Sequence, residues 1–359
     1  MQQQFIHHHR TSMRLRRPFA RIPLIALPLL AACTGGDGRS VLTVYSPHGR
    51  EMLSAFEKRF EAAHPDIDLQ YVDMGSQEVM DRVRSERANP QADVWWGAPS
   101  SMFQQAADDS LLAPSAPSWA AVTPADARDP KGRWYGTYFT PEVIAYNTQA
   151  VPAAQAPRDW DDVLDPRWKG KLLIRDPMAS GTMRTIFGMV VQRGIRASGD
   201  TAQGFAWLRR LDANTKQYVL NPTLLYQMLA RQEGHITLWA LPDIEMVRAR
   251  YNYPIDYVIP SSGTPQIIDA VAVVRDAPNP EAAKTFMEYV GGNAALVPAV
   301  RDFYRLPVRT DFPMDSMPER LRAAQRAIKP EPMDWKQLQQ RESEWMRYWD
   351  EHVRGGGGR

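Results

Sequence analysis

From residue 41 onward, short β-rich runs alternate with longer stretches whose apolar residues recur every three or four positions. The run VLTVY at 41–45 leads into the polar loop SPHGR at 46–50. Over 51–63, Met52, Leu53, Phe56 and Phe60 then mark one face of a helix. Strands over 67–72 and 92–96 and helices over 78–86 and 100–109 continue the series. A βαβαβα order predicts a mostly parallel sheet covered by helices on both faces.

The segment WYGTYFTPEVIAY at 134–146 breaks this rhythm, being long, aromatic and β-branched with no helical period, and it predicts an extended crossing strand. Beyond it the alternation restarts: strands over 172–175 and 235–240, and helices over 181–192, 202–211, 224–232 and 243–250. Residues 257–260 and 270–274 supply a second extended passage, followed by a helix over 280–290. The stretch 318–353 is charged, Trp-rich and helical, and 354–359 is a glycine-rich tail. Two α/β halves joined by two extended crossings predict two lobes with a cleft between them. The boundaries place 41–138 plus 268–353 in the first lobe and 139–267, with the crossing strands, in the second.

The residues before 41 read as an address. Five arginines (Arg10, Arg14, Arg16, Arg17, Arg21) precede or flank the apolar run 22–30, which is too short for a helix to span a bilayer. The sequence LAAC at 30–33 follows and resembles the lipobox of bacterial lipoproteins. That resemblance implies removal of 1–32 as a signal peptide, lipidation of Cys33 and a polar tether over 33–40. The three histidines at 7–9 lie upstream of Met13, a second candidate start, and would leave with the signal. Cys33 is the single cysteine, so intrachain disulfides and cysteine-based metal sites are excluded. Five of the 43 basic residues and none of the 41 acidic ones lie in 1–32. The remaining 327 residues therefore carry 38 basic against 41 acidic side chains, a formal charge of −3, which argues against nucleic acid as a partner.

The chain has no GxSxG elbow, HExxH pair or GxxxxGK[ST] loop. Of the four histidines beyond the signal, only His48 sits in a strand-to-helix loop. Ser46 and Ser180 have no base signalled nearby, so an enzyme is not expected. What the chain does offer is loops suited to holding an anion at helix N-termini. The clearest is DPMASGTMRT at 176–185. There Ser180 can cap, Gly181 lets the backbone approach, Thr182 adds a hydroxyl and Arg184 can supply a forked contact. A plain helix cap with a solvated arginine is the competing reading of that loop. The loops 46–50, with Ser46, His48 and Arg50, and 97–101, with Ser100, also follow strands, where open α/β sheets bind ligands.

Taken together, LTVYS at 42–46, ADVWWG at 92–97, WDDVLDPRWKGK at 160–171, DPMASGT at 176–182, APNPEAAK at 277–284 and LPVR at 306–309 resemble the extracellular solute-binding proteins of bacterial ABC importers. The resemblance covers nearly all of 41–311 and is to the two-lobed class that includes ferric-iron, polyamine, thiamine and phosphonate binders. It implies the α/β two-lobed periplasmic-binding-protein fold of type II, with two α/β lobes joined by extended crossing strands. It further implies a lipid-anchored extracytoplasmic monomer that closes on a solute and delivers it to a membrane permease. The iron members' tyrosine pair has no counterpart in TLWALPD at 237–243, and Gly97 and Ala98 stand where those members carry a glutamate. Only His48 matches an iron ligand, so no metal and no cofactor is expected. Ferric iron remains one alternative and hydrolysis of a phosphate ester in the same cleft another.

The expected solute is a small anion: an organophosphonate, a phosphate ester or a carboxylate. Its acidic group would sit on Ser180, Gly181 and Thr182 facing Ser46, His48 and Ser100, with Tyr138 or Trp239 against its apolar or sugar part and Asp269 at a hydroxyl or amine. Core packing is the competing reading for Trp95, Trp96 and Trp239, and a turn cap for Asp269.

Overall fold

Alternation along VWWGAP sends Trp95 and Trp96 to opposite faces of one strand, and each becomes the centre of a separate core. Trp95 stacks on Phe103 with ring centroids 4.3 Å apart, whereas Trp96 meets Phe56 at 5.1 Å and Phe286 at 5.6 Å. In this computed structural model, which describes residues 38–356, the chain runs through β1 (Ser40–Ser46), α1 (Arg50–Ala63), β2 (Ile67–Asp73), α2 (Ser76–Ser85), β3 (Val94–Pro99), α3 (Ser100–Asp108) and the short β4 (Leu112–Ala113). It continues through β5 (Tyr135–Asn147), β6 (Leu172–Arg175), α4 (Gly181–Ser198), α5 (Ala202–Asn214), β7 (Thr215–Val219), α6 (Pro222–Ala230), β8 (Ile236–Ala240), α7 (Leu241–Tyr251) and β9 (Ile255–Val258). The last elements are β10 (Gln266–Val274), α8 (Pro280–Gly291), α9 (Asn293–Phe303), β11 (Leu306–Pro307), α10 (Glu319–Ala327) and α11 (Trp335–His352).

The strand order is β2-β1-β3-β10-β5-β8-β6-β7, with β4 on β10 and both β9 and β11 on β5. Strand β5 belongs to two halves of this sheet. Its residues 135–141 pair with β10, and its residues 142–147 pair with β8 and β9. Each half has a parallel set, β1 with β2 and β3 on one side and β6 with β7 and β8 on the other, while β10 runs antiparallel to β3, β4 and β5. The crossings are thus β5 at Pro141–Glu142 and the passage between β9 and β10, as the two-lobed α/β fold requires.

Three differences from the sequence reading have local causes. Strand β7 is a half-exposed edge strand beside β6, so TKQYV carries no continuous apolar run. Helix α9 tolerates Pro298 inside its span and follows the pair Gly291-Gly292, which reads as a break. The tail 318–353 is two helices, because Pro330 and Pro332 interrupt it. Helix α11, grouped above with the first lobe, lays its fully buried Trp349 against Phe187 of α4 at 5.3 Å and Tyr218 of β7 at 5.1 Å, and reaches α3 through Gln339 and Asp108. The signal peptide, Cys33, most of the tether and residues 357–359 of the tail lie outside the described residues.

Candidate functional site

Strand β6 ends at Arg175, and the turn that follows is shaped by Asp176, whose Oδ1 accepts from the Met178 N–H at 2.8 Å and whose Oδ2 takes Arg354 at 2.5 Å. Ser180 then adopts extended backbone and caps α4, its Oγ accepting from the Met183 N–H at 3.3 Å. Gly181 opens the helix in close contact with the other lobe. A Cβ there would stand 2.8 Å from Pro99 Cδ at the end of β3. The start of α4, with its positive dipole end and the Gly181 and Thr182 N–H groups ahead of the capped Met183, therefore faces the end of the first-lobe strand β3. Thr182 is half-buried beside it. Arg184 turns the other way: its guanidinium is buried and donates to the carbonyls of Pro177 at 3.2 Å and Met178 at 3.4 Å, bracing the loop from behind.

Across the interface, Ser46 is fully buried, and its Oγ lies 3.1 Å from His48 Nδ1 and accepts from the His48 backbone N–H at 3.2 Å. The imidazole rests edge-on against Trp96 at 4.5 Å and Tyr138 at 5.9 Å, over Gly97, whose φ of 90° only glycine adopts readily. Its neighbour Ala98 carries a φ of 109°, a strained value for a residue with a Cβ. Burial, reinforced by the positive charge of Arg305, holds His48 well below the ordinary histidine range, so the ring is neutral at pH 7. Ser100 is the first residue of α3, half-buried. Tyr138 is fully buried, and burial raises its phenol above the usual range.

The polar centre of the interface is a group that the sequence reading left out of its site. Arg305, which follows α9 and precedes β11, donates to Asp243 Oδ1 at 2.9 Å and is 6% exposed. Asp243, in the first turn of α7, also accepts from Trp239 Nε1 at 3.0 Å and from the Tyr226 hydroxyl at 3.3 Å. Asp269 on β10 accepts from Thr140 Oγ1 and from the Ala98 backbone N–H. Glu142 on β5 is fully buried and its carboxyl is pushed well up, chiefly by burial and then by the charges of Asp243 and Asp269, against Arg305. The positive charge of Arg305 acts on His48, Tyr138, Glu142, Asp269 and Tyr226.

The structure therefore joins Ser46, His48 and Tyr138 in one contact group, links Trp239 to Arg305 through Asp243, pairs Asp269 with Pro99, sets Gly181 against Pro99 of the opposite lobe, and turns Arg184 to the carbonyls of its own loop. Glu142, Asp243 and Arg305 were recoverable only in part. A lone carboxylate in the apolar run of β5 is a signal, whereas Arg305 looks like any arginine until α9 and β11 fix its direction. Among the described residues, no group of three or more His, Cys, Asp or Glu side chains is arranged to hold a metal ion, and no helix is long and apolar enough to cross a membrane.

Comparison with known proteins places this geometry among relatives. A family model described as bacterial extracellular solute-binding protein matches residues 55–324. A probable ABC transporter periplasmic-binding protein of Sinorhizobium fredii is 26% identical over 344 residues, covering 93% of this chain and 91% of that one. A putative 2-aminoethylphosphonate-binding periplasmic protein of Salmonella typhimurium is 27% identical over 330 residues, covering 88% and 93%. Among solved structures, the periplasmic binding protein AfuA of Actinobacillus pleuropneumoniae, with fructose-6-phosphate bound, superposes with a TM-score of 0.76 at 22% identity over 89% of this chain and 100% of that one. The ferric binding protein of Campylobacter jejuni superposes with a TM-score of 0.73 at 19% identity, covering 86% and 98%.

Proposed function

We propose, from the premise that the chain belongs to the bacterial extracellular solute-binding protein family, that it captures a small anionic solute between its lobes for an ABC importer. The solute class is an organophosphonate, a phosphate ester or a carboxylate. One observation carries this reading: the capped start of α4 at Ser180–Thr182 lies against the end of β3, so an acidic group there meets helix N–H donors from one lobe and the 46–48 loop and the start of α3 from the other. Relatives whose names include 2-aminoethylphosphonate, and a structure holding fructose-6-phosphate, support the same class. Closing on the solute adds contacts from both lobes at once, which is the differential affinity that shifts an open/closed equilibrium.

Export by the signal at 1–32 and lipid attachment at Cys33 complete this reading. They hold a monomeric binder beside its permease without a spanning helix. The protein binds and does not turn over its solute: Ser46 Oγ is engaged by the His48 backbone N–H as well as by its imidazole, which is the geometry of a local turn.

Thermal-shift measurements against phosphonates, sugar phosphates, polyamines and ferric iron test the solute class. Stabilisation by a phosphonate or sugar phosphate that Ser180→Ala reduces about tenfold in affinity is expected, since a cap and a ligand hydroxyl contact are lost together. Stabilisation by ferric iron alone, unchanged in Ser180→Ala, would point to the iron reading instead. Hydrolysis of a bound phosphate ester would point to the enzyme.

A further inference from the structure

We infer that Glu142 takes part in solute binding as an uncharged acid, its O–H donating to an oxygen of the anionic solute. This rests on the reading of the cleft as an anion site. Glu142 lies where β5 passes from one half of the sheet to the other, and its backbone is fixed by both crossings. Its N–H donates to the Pro265 carbonyl at 3.4 Å, and its carbonyl accepts from Thr264 Oγ1 at 2.6 Å. Alternation along β5 puts Tyr138, Thr140 and Glu142 on one face, where the Thr140 hydroxyl donates to Asp269. The Glu142 side chain is 0% exposed, and among the described residues neither carboxyl oxygen has a hydrogen-bond partner. A buried polar group left unmatched in this way costs free energy.

The groups that act on Glu142 decide its form. They are Asp243 from α7, Asp269 from β10 and Arg305 beside β11. Asp243 accepts from Arg305, Trp239 and Tyr226, and Asp269 from Thr140 and the Ala98 N–H, so both have donors of their own. Glu142 has none, because Arg305 spends its Nη2 on Asp243 and its buried Nε is without a partner among the described residues. An ionised Glu142 would therefore be a fully buried charge with no donor, in a place that already holds two other carboxyls, and the neutral acid avoids that cost. Burial first, then the charges of Asp243 and Asp269, against that of Arg305, raise its carboxyl well above the usual range. A neutral carboxyl donates as well as accepts. The Glu142 acid, the Tyr138 hydroxyl and the Arg305 Nε–H then each hold a hydrogen with no acceptor among the described residues. An ionised phosphonate, phosphate or carboxylate oxygen accepts without donating, which suits this set, and an ionised Glu142 would repel it.

The test compares the wild type with Glu142→Gln and Glu142→Leu by calorimetric titration with ethylphosphonate, fructose-6-phosphate and succinate at pH 7. Infrared difference spectra are recorded with and without whichever of these probes binds most tightly. Glu142→Gln keeps an uncharged group with a donor and is expected to bind within about threefold of the wild type. Glu142→Leu keeps no hydrogen-bonding atom in the side chain and is expected to bind about tenfold more weakly. In the wild type, the C=O stretch of a protonated carboxyl should shift when the probe is added, and that shift should be missing from Glu142→Gln. A tenfold loss in folded Glu142→Gln, Glu142→Leu binding as tightly as the wild type, or a spectrum without that carboxyl shift would overturn the inference while leaving the anion reading in place. Binding of none of the three probes would overturn both. Should Glu142→Leu fail to fold, Glu142→Gln and the infrared shift decide the matter alone.

Discussion

Gly97 shows how much of this site hangs on single atoms. Its φ of 90° is unfavourable for any residue with a Cβ, and a Cβ there would stand 2.6 Å from His48 Cε1. The glycine lets the imidazole lie flat over the end of β3, and the imidazole in turn holds Ser46 in its loop. Gly97→Ala is expected to destabilise the protein by about 1–3 kcal/mol through backbone strain and displacement of the ring, read by urea denaturation. It should also weaken solute binding, read by titration, because His48 belongs to the cleft wall. Residue types alone identified His48 and the SGT turn as candidates, since hydroxyls, histidine and glycine before a helix have few other joint uses. They misdirected Arg184, whose guanidinium serves the Pro177 and Met178 carbonyls. Sequence spacing puts a residue on a helix face without saying which neighbour that face meets.

At the scale of elements, α11 is the piece whose role the sequence hid. Its periodicity marked it as helical, but a helix with Trp345 and Trp349 on one face packs against whichever apolar surface lies within reach. The surface it finds is shared by α3, α4 and β7, so the last helix bridges the two halves and braces the element that begins at Gly181. That contact also buries Glu342 of α11 near Arg184 of α4, and burial pushes the Glu342 carboxyl up to about 7. The folded protein therefore holds a proton on Glu342 at pH values where the unfolded chain has released it. This contribution is fully present below about pH 4.5 and is lost as pH rises through about 7. A shift of that size is worth about 3 kcal/mol. Melting temperature should fall between pH 5 and pH 8 with a slope that Glu342→Gln flattens. An unchanged slope in that variant would assign the pH dependence to other groups.

For the whole molecule, the informative fact is that the two halves of the sheet are joined through β5 and through the β9–β10 passage, and that Pro99 and Gly181 touch across the cleft. The two halves thus touch at this point, and a movement that parted them would bend the chain where it crosses, near Pro141–Glu142 and 259–265. Binding is expected to lower the radius of gyration measured by small-angle scattering. Gly181→Trp, which inserts a large side chain where even a Cβ would crowd Pro99, should hold the lobes apart and abolish the change. Compaction of that variant on adding solute would show that closure does not pass through this contact.

The sequence by itself determined the fold class, the two crossing strands and the serine-capped start of α4, because each is written in local terms: periodicity, strand length, and a serine and glycine ahead of a helix. It also shows that residues 1–32 hold five arginines and no acid, so that the other 327 residues carry three more acidic than basic side chains. Only the tertiary structure decided the charge of the cleft. Glu142, Asp243, Asp269 and Arg305 are far apart in the chain and lie on β5, α7, β10 and the approach to β11. Their mutual fields and the burial that sharpens them arise only when both lobes and both crossings are folded together.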